Sequence, residues 1–357
     1  MRLVSVHNLN SNMKLAKSIY HHDTLVLKEG CSSLNRFTKQ LLKLGINYIY
    51  VTDGYSDDIE ITDVVKANTR QACKMTLQKV VGNFISSNSL DVNTLTDSIT
   101  SLLDEIFDNK DVMINLREIG STDDSTYIHS ISTTIYALML AINLGYDHDM
   151  LKKLAMGTLL HDIGKLLLDR KIIFKKGRLT DAEFEYIKSH TTRGYEALKN
   201  CSGITELSRI IALYHHEKLD GTGYPTGTPS SELHPFIRIV TIADVYDALT
   251  SDRCYRKRWT AKQAYDHLLE FSGTCYDTEF VRLFLQNISI YPNGSIVKLS
   301  NHYYGIVKEQ NKNMTERPIV RVIADPTCKQ IRAYEIDLKN ALDITIIESE
   351  LNISVHI

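Results

Sequence analysis

The sequence predicts a mainly α protein in which an all-helical central domain is flanked by a small N-terminal α+β domain and a small C-terminal β domain. Three observations carry this reading. In the middle of the chain Ile128, Ile131, Ile135, Leu138 and Ile142 recur at helical spacing. Residues 1–60 alternate short β-rich runs with one amphipathic stretch, and from Tyr291 onward β-branched and alternating runs replace the helical pattern. A chain of 357 residues exceeds one typical domain. We divide it into an N-terminal domain (1–60), a helical linker (61–119), the central domain (120–290) and the β-barrel-like C-terminal domain (291–357).

Composition narrows the class of partner. The formal net charge is −2 with both signs mixed along the chain, so neither duplex nucleic acid nor an anionic membrane surface is an expected partner. The six cysteines, Cys31, Cys73, Cys201, Cys254, Cys275 and Cys328, form no CxxC pair and read as reduced structural thiols. The first residues lack the apolar core of a signal peptide, and no run reaches the length of a membrane span. A soluble cytoplasmic protein is expected.

Taken in order, Ala16–Tyr20 and Thr24–Leu27 read as extended, Leu34–Leu44 as a helix closed by Gly45, and Ile46–Val51 as a strand. His21 and His22 fall between two strands and read as exposed turn residues. Thr62–Ser87 and Val92–Ile119 read as two long helices separated by Ser86-Ser87-Asn88-Ser89. Tyr127–Leu144 is a helix that buries one face and carries His129 at its edge, and Met150–His161 follows. Thr180 with Glu183 forms a capping box, and the helix it opens runs on to His190. Ile204–Tyr214 leads into His215-His216-Glu217, and the loop Asp220–Gly227 then supplies three glycines that permit close approach of a ligand. Ile237–Leu249 is an apolar helix interrupted by Asp244 and Asp247. The last segment opens on the turn Pro292-Asn293-Gly294-Ser295 and reads as five strands of a barrel or sandwich, Ile296–Leu299, Gly305–Lys308, Ile319–Ile323, Ile331–Ile336 and Ile344–Ile347. It holds no evident chemistry; His302 and His356 read as surface residues.

The chemistry gathers around Leu159-Leu160-His161-Asp162-Ile163-Gly164-Lys165. Adjacent helical residues point about 100° apart, so His161 and Asp162 can meet one metal from two sides while the leucines anchor the helix. Lys165 is expected one turn beyond His161 on the same face, where an ammonium neutralises an anion that metals bind. Read singly, His215-His216 is as well explained by a wet helix end, and Arg253 by a salt bridge to Asp252. Taken together, His129, His161, Asp162, His190, His215, His216 and Asp244 make an imidazole and carboxylate set without thiolate. That set exceeds what one tetrahedral zinc uses and suits two six-coordinate ions such as iron or manganese. Two such ions bind opposite oxygens of a phosphodiester and activate a bridging water for in-line attack, which predicts phosphate-ester hydrolysis.

The segments His161-Asp162-Ile163-Gly164-Lys165, Lys188-Ser189-His190, His215 to Pro225 and Ile242 to Arg253 closely resemble the HD-GYP family of HD phosphohydrolases, over roughly residues 120–290. The resemblance implies an all-helical domain with an iron or manganese centre that hydrolyses cyclic di-GMP, with either linear pGpG or GMP as the final product. It further implies one metal held by His129, His161, Asp162 and Asp244 and the other by Asp162, His190, His215 and His216, so that Asp162 bridges and is catalytic together with Lys165. By the same resemblance Lys165 meets the scissile phosphate, Arg253 and Arg256 contact phosphate oxygens, and Tyr224 lies against the substrate. Members with a third metal carry a glutamate where this chain has Ser125, so two metals are expected, with Asp247 a weak third ligand at most. Trp259 is unusual against the family pattern. Two alternatives stand beside this reading: a phosphodiesterase for another cyclic dinucleotide such as the GMP–AMP hybrid, and a receptor that binds without turnover. The flanking domains are expected to meet a second copy or a signalling protein.

Overall fold

The computed structural model describes residues 1–21, 24–87, 89–110, 112–113, 125–175, 177–229, 232–251, 258–312 and 314–349. Arg253, Arg256, His22 and His356 fall outside these residues, as do the side chains of His21 and Ser125.

The N-terminal part is a three-stranded antiparallel sheet in the order β1 (Arg2–Ser5), β5 (Tyr48–Thr52), β2 (Lys14–Leu15), beside the hairpin β3 (Ile19–His21) and β4 (Thr24–Leu27). One 3₁₀ turn, Leu34–Phe37, and the short α1 (Thr38–Lys43) pack on it, closing a core of Val4, Val6, Leu15, Leu34, Leu41, Ile49 and Val51. The sequence reading missed β1. Its run of four residues is too short to show a period, and its pairing partner β5 is more than 40 residues away.

Helices α2 (Ala67–Ser87) and α3 (Val92–Asp108) share one continuous core with most of the long helices that follow. Both are shorter than the sequence suggested. Residues before Ala67 are spent on packing: Val64 and Val65 are buried, and the Lys66 amide donates to Glu105 Oε2 at 2.7 Å. At the other end Asn109 stops α3, its side-chain amide donating to Val64 O and Glu105 O. The stretch from 114 to 119 assigned to this helix lies outside the described residues.

The central part of the fold is built by α4 (Ser125–Asn143), α5 (His148–Leu159), α6 (Arg170–Ile173), α7 (Asp181–Lys188), α8 (His190–Lys199), α9 (Glu206–Tyr214), α10 (Pro235–Thr250), α11 (Ala261–Glu270) and α12 (Thr278–Gln286). Helix α4 was expected to bury one face. It is buried on every side from His129 to Ala141. Among its Ser and Thr residues, which imitate a wet face in sequence, Thr134 satisfies its hydroxyl inside the helix by donating to Ser130 O at 2.7 Å. Two further boundaries differ at the residues that matter most. Helix α5 ends at Leu159, so His161 and Asp162 lie in the turn between it and a 3₁₀ segment, Ile163–Leu167. The helix opened by the Thr180 capping box stops at Lys188, and His190 begins α8.

Beyond the helices, five antiparallel strands form one sheet in the order β10 (Ile346–Ser349), β6 (Ile296–Leu299), β7 (Tyr304–Glu309), β8 (Ile319–Ala324), β9 (Gln330–Asp337). This sheet docks on the N-terminal part: the Leu3 amide donates to Gly294 O at 3.0 Å, and Arg321 pairs with Asp58 and Glu335. His302 is exposed in a left-handed turn. No described helix is long and apolar enough to cross a membrane.

Candidate metal centre

Five elements converge on one point. Helix α4 brings His129, the turn after α5 brings His161 and Asp162, α8 opens with His190, the end of α9 presents His215 and His216, and α10 supplies Asp244. Six of the seven residues anticipated as metal ligands form two groups that share Asp162: His129, His161 and Asp162, and Asp162, His190, His215 and His216; the seventh, Asp244, lies against both through His129 and His216. The close packing depends on two glycines. A Cβ on Gly164 would stand 1.9 Å from His190 O, so only glycine lets the 3₁₀ segment lie against the start of α8. A Cβ on Gly157 would meet Ser208 O at 2.7 Å, where α5 crosses α9.

The backbone orients the rings. His161 Nδ1 faces Thr158 O at 2.7 Å, His190 Nδ1 faces Ile187 O at 2.7 Å, and His215 Nδ1 faces Ile211 O at 3.0 Å. A carbonyl oxygen only accepts, so each Nδ1 carries the proton and each Nε2 presents a lone pair inward. Asp162 lies between the groups: Oδ2 is 3.4 Å from His161 Nε2 and 3.7 Å from His129 Nε2, while Oδ1 is 3.4 Å from His190 Nε2 and 3.7 Å from His215 Nε2. Asp244 likewise spans the two groups, with Oδ1 2.9 Å from His129 Nε2 and Oδ2 3.4 Å from His216 Nδ1.

These atoms fit metal ions and little else. His190 Nε2 and His215 Nε2 face each other at 3.2 Å, both as acceptors, and His129 Nε2, His161 Nε2 and Asp162 Oδ1 are buried without a hydrogen-bond partner. His129 Nε2 is near Asp244 yet not aligned to bond it, so the two atoms aim at a common focus. Converging lone pairs in a buried site repel unless a cation lies among them. The donors are imidazole and carboxylate, as expected for iron or manganese.

Charge divides the site. Burial, helped by the Lys165 ammonium, pushes His190 down to about 3. Burial also lowers His215, and lowers His216 well below the ordinary imidazole value with the neighbouring His215 adding to it. These three rings are therefore neutral at pH 7 and hold their lone pairs ready. Burial opposes the charged form of His129 too, but its contacts with Asp244 and Asp247 outweigh burial and push it up to about 9. Burial disfavours ionised Asp162, yet Lys165 and His161 hold its carboxyl well below the usual range. Asp244 behaves alike, with His129 and His216 overcoming burial.

Around the donors lie the other residues singled out from sequence. Lys165 Nζ donates to Asp162 Oδ2 at 2.6 Å; it reaches the site from the 3₁₀ segment, not along the helix of His161. The Tyr224 ring tilts over the His216 ring at 4.7 Å, and burial beside Asp244 and Asp162 raises its hydroxyl pKa. Trp259 donates its amide to Leu249 O and sets its ring edge-on to His267, at a distance of 5.6 Å, which gives it a packing role.

Two supporting roles escaped the sequence reading. Asp247, considered there as a weak third ligand, places Oδ2 2.6 Å from His129 Nδ1 and so orients the ring from behind. Its spacing of three from Asp244 on one helix was the available signal. Glu217, quoted within a motif but given no task, is buried and accepts from the Thr226, Gly227 and Thr228 amides and the Thr226 hydroxyl, pinning the loop that carries Tyr224. Gly223 of that loop passes so close that a Cβ would lie 2.5 Å from Glu217 Cα.

The HD domain family matches residues 101–280. A cyclic di-GMP phosphodiesterase of Pseudomonas aeruginosa is 32% identical over 254 residues, covering 71% of this chain and 61% of the relative. A cyclic di-GMP phosphodiesterase of Thermotoga maritima is 33% identical over 194 residues, covering 54% of this chain and 52% of the relative. A 3'3'-cGAMP-specific phosphodiesterase of Vibrio cholerae is 33% identical over 165 residues, covering 46% of this chain and 36% of the relative. The chain therefore belongs to the HD domain family. Its His161-Asp162 pair together with the Gly223-Tyr224-Pro225 loop makes it a member of the HD-GYP branch. It spans 61% and 52% of the length of the first two relatives.

Proposed function

We propose that this chain is a phosphodiesterase that opens a cyclic dinucleotide, cyclic di-GMP foremost, to the linear pGpG and onward to GMP. The observation that carries the proposal is Asp162, whose two oxygens face two separate sets of bare imidazole nitrogens. His129, His161, Asp162 and Asp244 would hold one divalent cation, and Asp162, His190, His215 and His216 the other, with iron or manganese suited to the donors. When bound, such a pair supplies Lewis-acid polarisation of the phosphoryl oxygens and a low-pKa water.

The chain's own residues do the rest. Lys165, beside Asp162 at the edge of the cluster, stabilises the negative charge that grows on the phosphoryl group toward the transition state. Tyr224 lies over His216 and offers a ring face against which a nucleotide can rest. Glu217 keeps that ring in place by holding its loop. Arg253 and Arg256 remain proposed phosphate contacts on grounds of resemblance. The seven donors, all but His216 buried, favour turnover over binding alone, since a receptor needs no such set.

The Vibrio cholerae relative favours one second reading, in which the GMP–AMP hybrid is the substrate. Anaerobically purified protein loaded with iron or manganese, incubated with cyclic di-GMP and the hybrid in parallel and resolved by chromatography, decides between them. Linear pGpG from cyclic di-GMP at the higher kcat/KM is expected. A higher value for the hybrid selects the second reading, and bound but uncut nucleotide in metal-replete protein overturns both.

A further inference from the structure

The cluster and Lys165 account for one phosphate, whereas a cyclic dinucleotide carries two. Moving outward from the donor cluster, the His216 ring lies against Tyr224 at 4.7 Å, and the Lys188 ammonium stands over the Tyr224 ring, 5.4 Å from its centroid. The same ammonium stands 4.9 Å from the centroid of Phe184, a ring left 46% exposed one helical turn earlier. Lys188 is thus clasped between two aromatic faces at the mouth of the site, one of them from a loop 36 positions further along the chain. Its place is fixed by the same backbone that fixes a metal ligand: α7 ends at Lys188, and His190, two residues on, bonds back to Ile187 O.

A surface lysine with a helical partner needs no function, and Lys188 has one in Glu185 at 2.7 Å. That carboxylate is 68% exposed, so water and salt screen the pair and leave the ammonium able to exchange it for a better anion. A compact ammonium suits a phosphate, and the flanking rings suit the faces of nucleobases.

We infer that Lys188 binds the non-scissile phosphate of the cyclic dinucleotide while Lys165 serves the scissile one. This rests on the phosphodiesterase reading above. Lys165 stands on Asp162, and Lys188 stands over the Tyr224 ring that lies against His216, so a substrate reaching both is held with one phosphodiester at the donor cluster and the other beside Tyr224.

The test is steady-state hydrolysis of cyclic di-GMP by the full-length metal-loaded protein and three variants, with melting temperature measured alongside. Lys188→Met should raise KM about tenfold, the loss of one charge-assisted contact, without lowering kcat or the melting temperature. The rise of KM with salt should be shallower than in the wild type, since one ionic contact is gone. Lys188→Arg should recover most of the affinity, and Glu185→Gln should not raise KM. An unchanged KM in Lys188→Met beside an active wild type overturns the inference alone, as does a joint fall of kcat and melting temperature. A wild type that cuts no cyclic dinucleotide overturns the functional reading and this inference with it.

Discussion

The two halves of the centre use the same residue types and reach opposite charge states. Around His190, His215 and His216 burial dominates, the rings are neutral, and carbonyl oxygens of their own helices fix two of them, His190 and His215. Around His129 two carboxylates dominate: Asp244 in front of the ring and Asp247 behind it hold a positive charge against the same burial. One half is a set of neutral donors that waits for a cation. The other is an anionic pocket whose carboxylates favour the protonated form of His129. An incoming metal must displace that proton on one side only, so the halves should differ in affinity and in pH response.

Asp162 is the one side chain that belongs to both groups, so removing it is the harshest test of the division. Asp162→Ala should lose both metals together and leave less than about one hundredth of the activity, since even supporting residues around a metal cost 10–100-fold. Elemental analysis beside hydrolysis checks this, and retention of both metals with normal turnover refutes the bridge. Lys165→Met comes next. It should cut turnover by about 10²–10³-fold while metal content stays close to that of the wild type, because its charge serves the transition state. Metal loss with a normal rate per bound metal would make Lys165 a support for Asp162 instead.

Smaller effects separate the halves. Asp247→Ala frees the His129 ring to turn and should weaken one metal by about 10–100-fold, leaving the other in place. His190→Ala should do the converse. Competition with a graded chelator reads both, and equal loss of both metals in either variant would mean that the halves fold and bind as one.

The candidate ligands that the fold gathers were legible in the sequence because their order, a His-Asp pair, a single His, a His-His pair and an Asp, is a linear pattern with motifs around it. Their supports were not. Asp247 and Glu217 differ from ordinary surface acids only in what they meet after folding, the far nitrogen of His129 and the amides of a loop nine to eleven positions away. The fold was readable where periodicity ran long, as in the centre of α10, and failed where tertiary packing cut a helix short, at Leu159 and at Lys188. Both failures have one cause. The chain breaks its helices there to bring His161, Asp162 and His190 inward, and propensity carries no trace of that demand.

The smallest expected effect is the most specific to the comparison: the stability of metal-free protein as a function of pH. The unfolded chain protonates His190 near the ordinary value of 6.5, whereas the folded chain refuses the proton until about 3. Between those values the unfolded state binds more protons, so stability falls as pH drops from 6.5 toward 3, by up to about 1.4 kcal/mol per unit for each such ring. His215 and His216 act in the same direction. His129 acts in the other: held protonated up to about 9, it contributes fully below 6.5 and loses that contribution as pH rises toward 9. Chelated protein should therefore melt lower on both sides of neutrality, each limb belonging to one half of the site. Asp247→Asn should flatten the alkaline limb and spare the acid one, and His190→Asn should flatten only the acid limb. If both substitutions change both limbs alike in melts from pH 4 to 9, the two halves titrate as a single coupled cluster and their contrast in charge has no separate meaning.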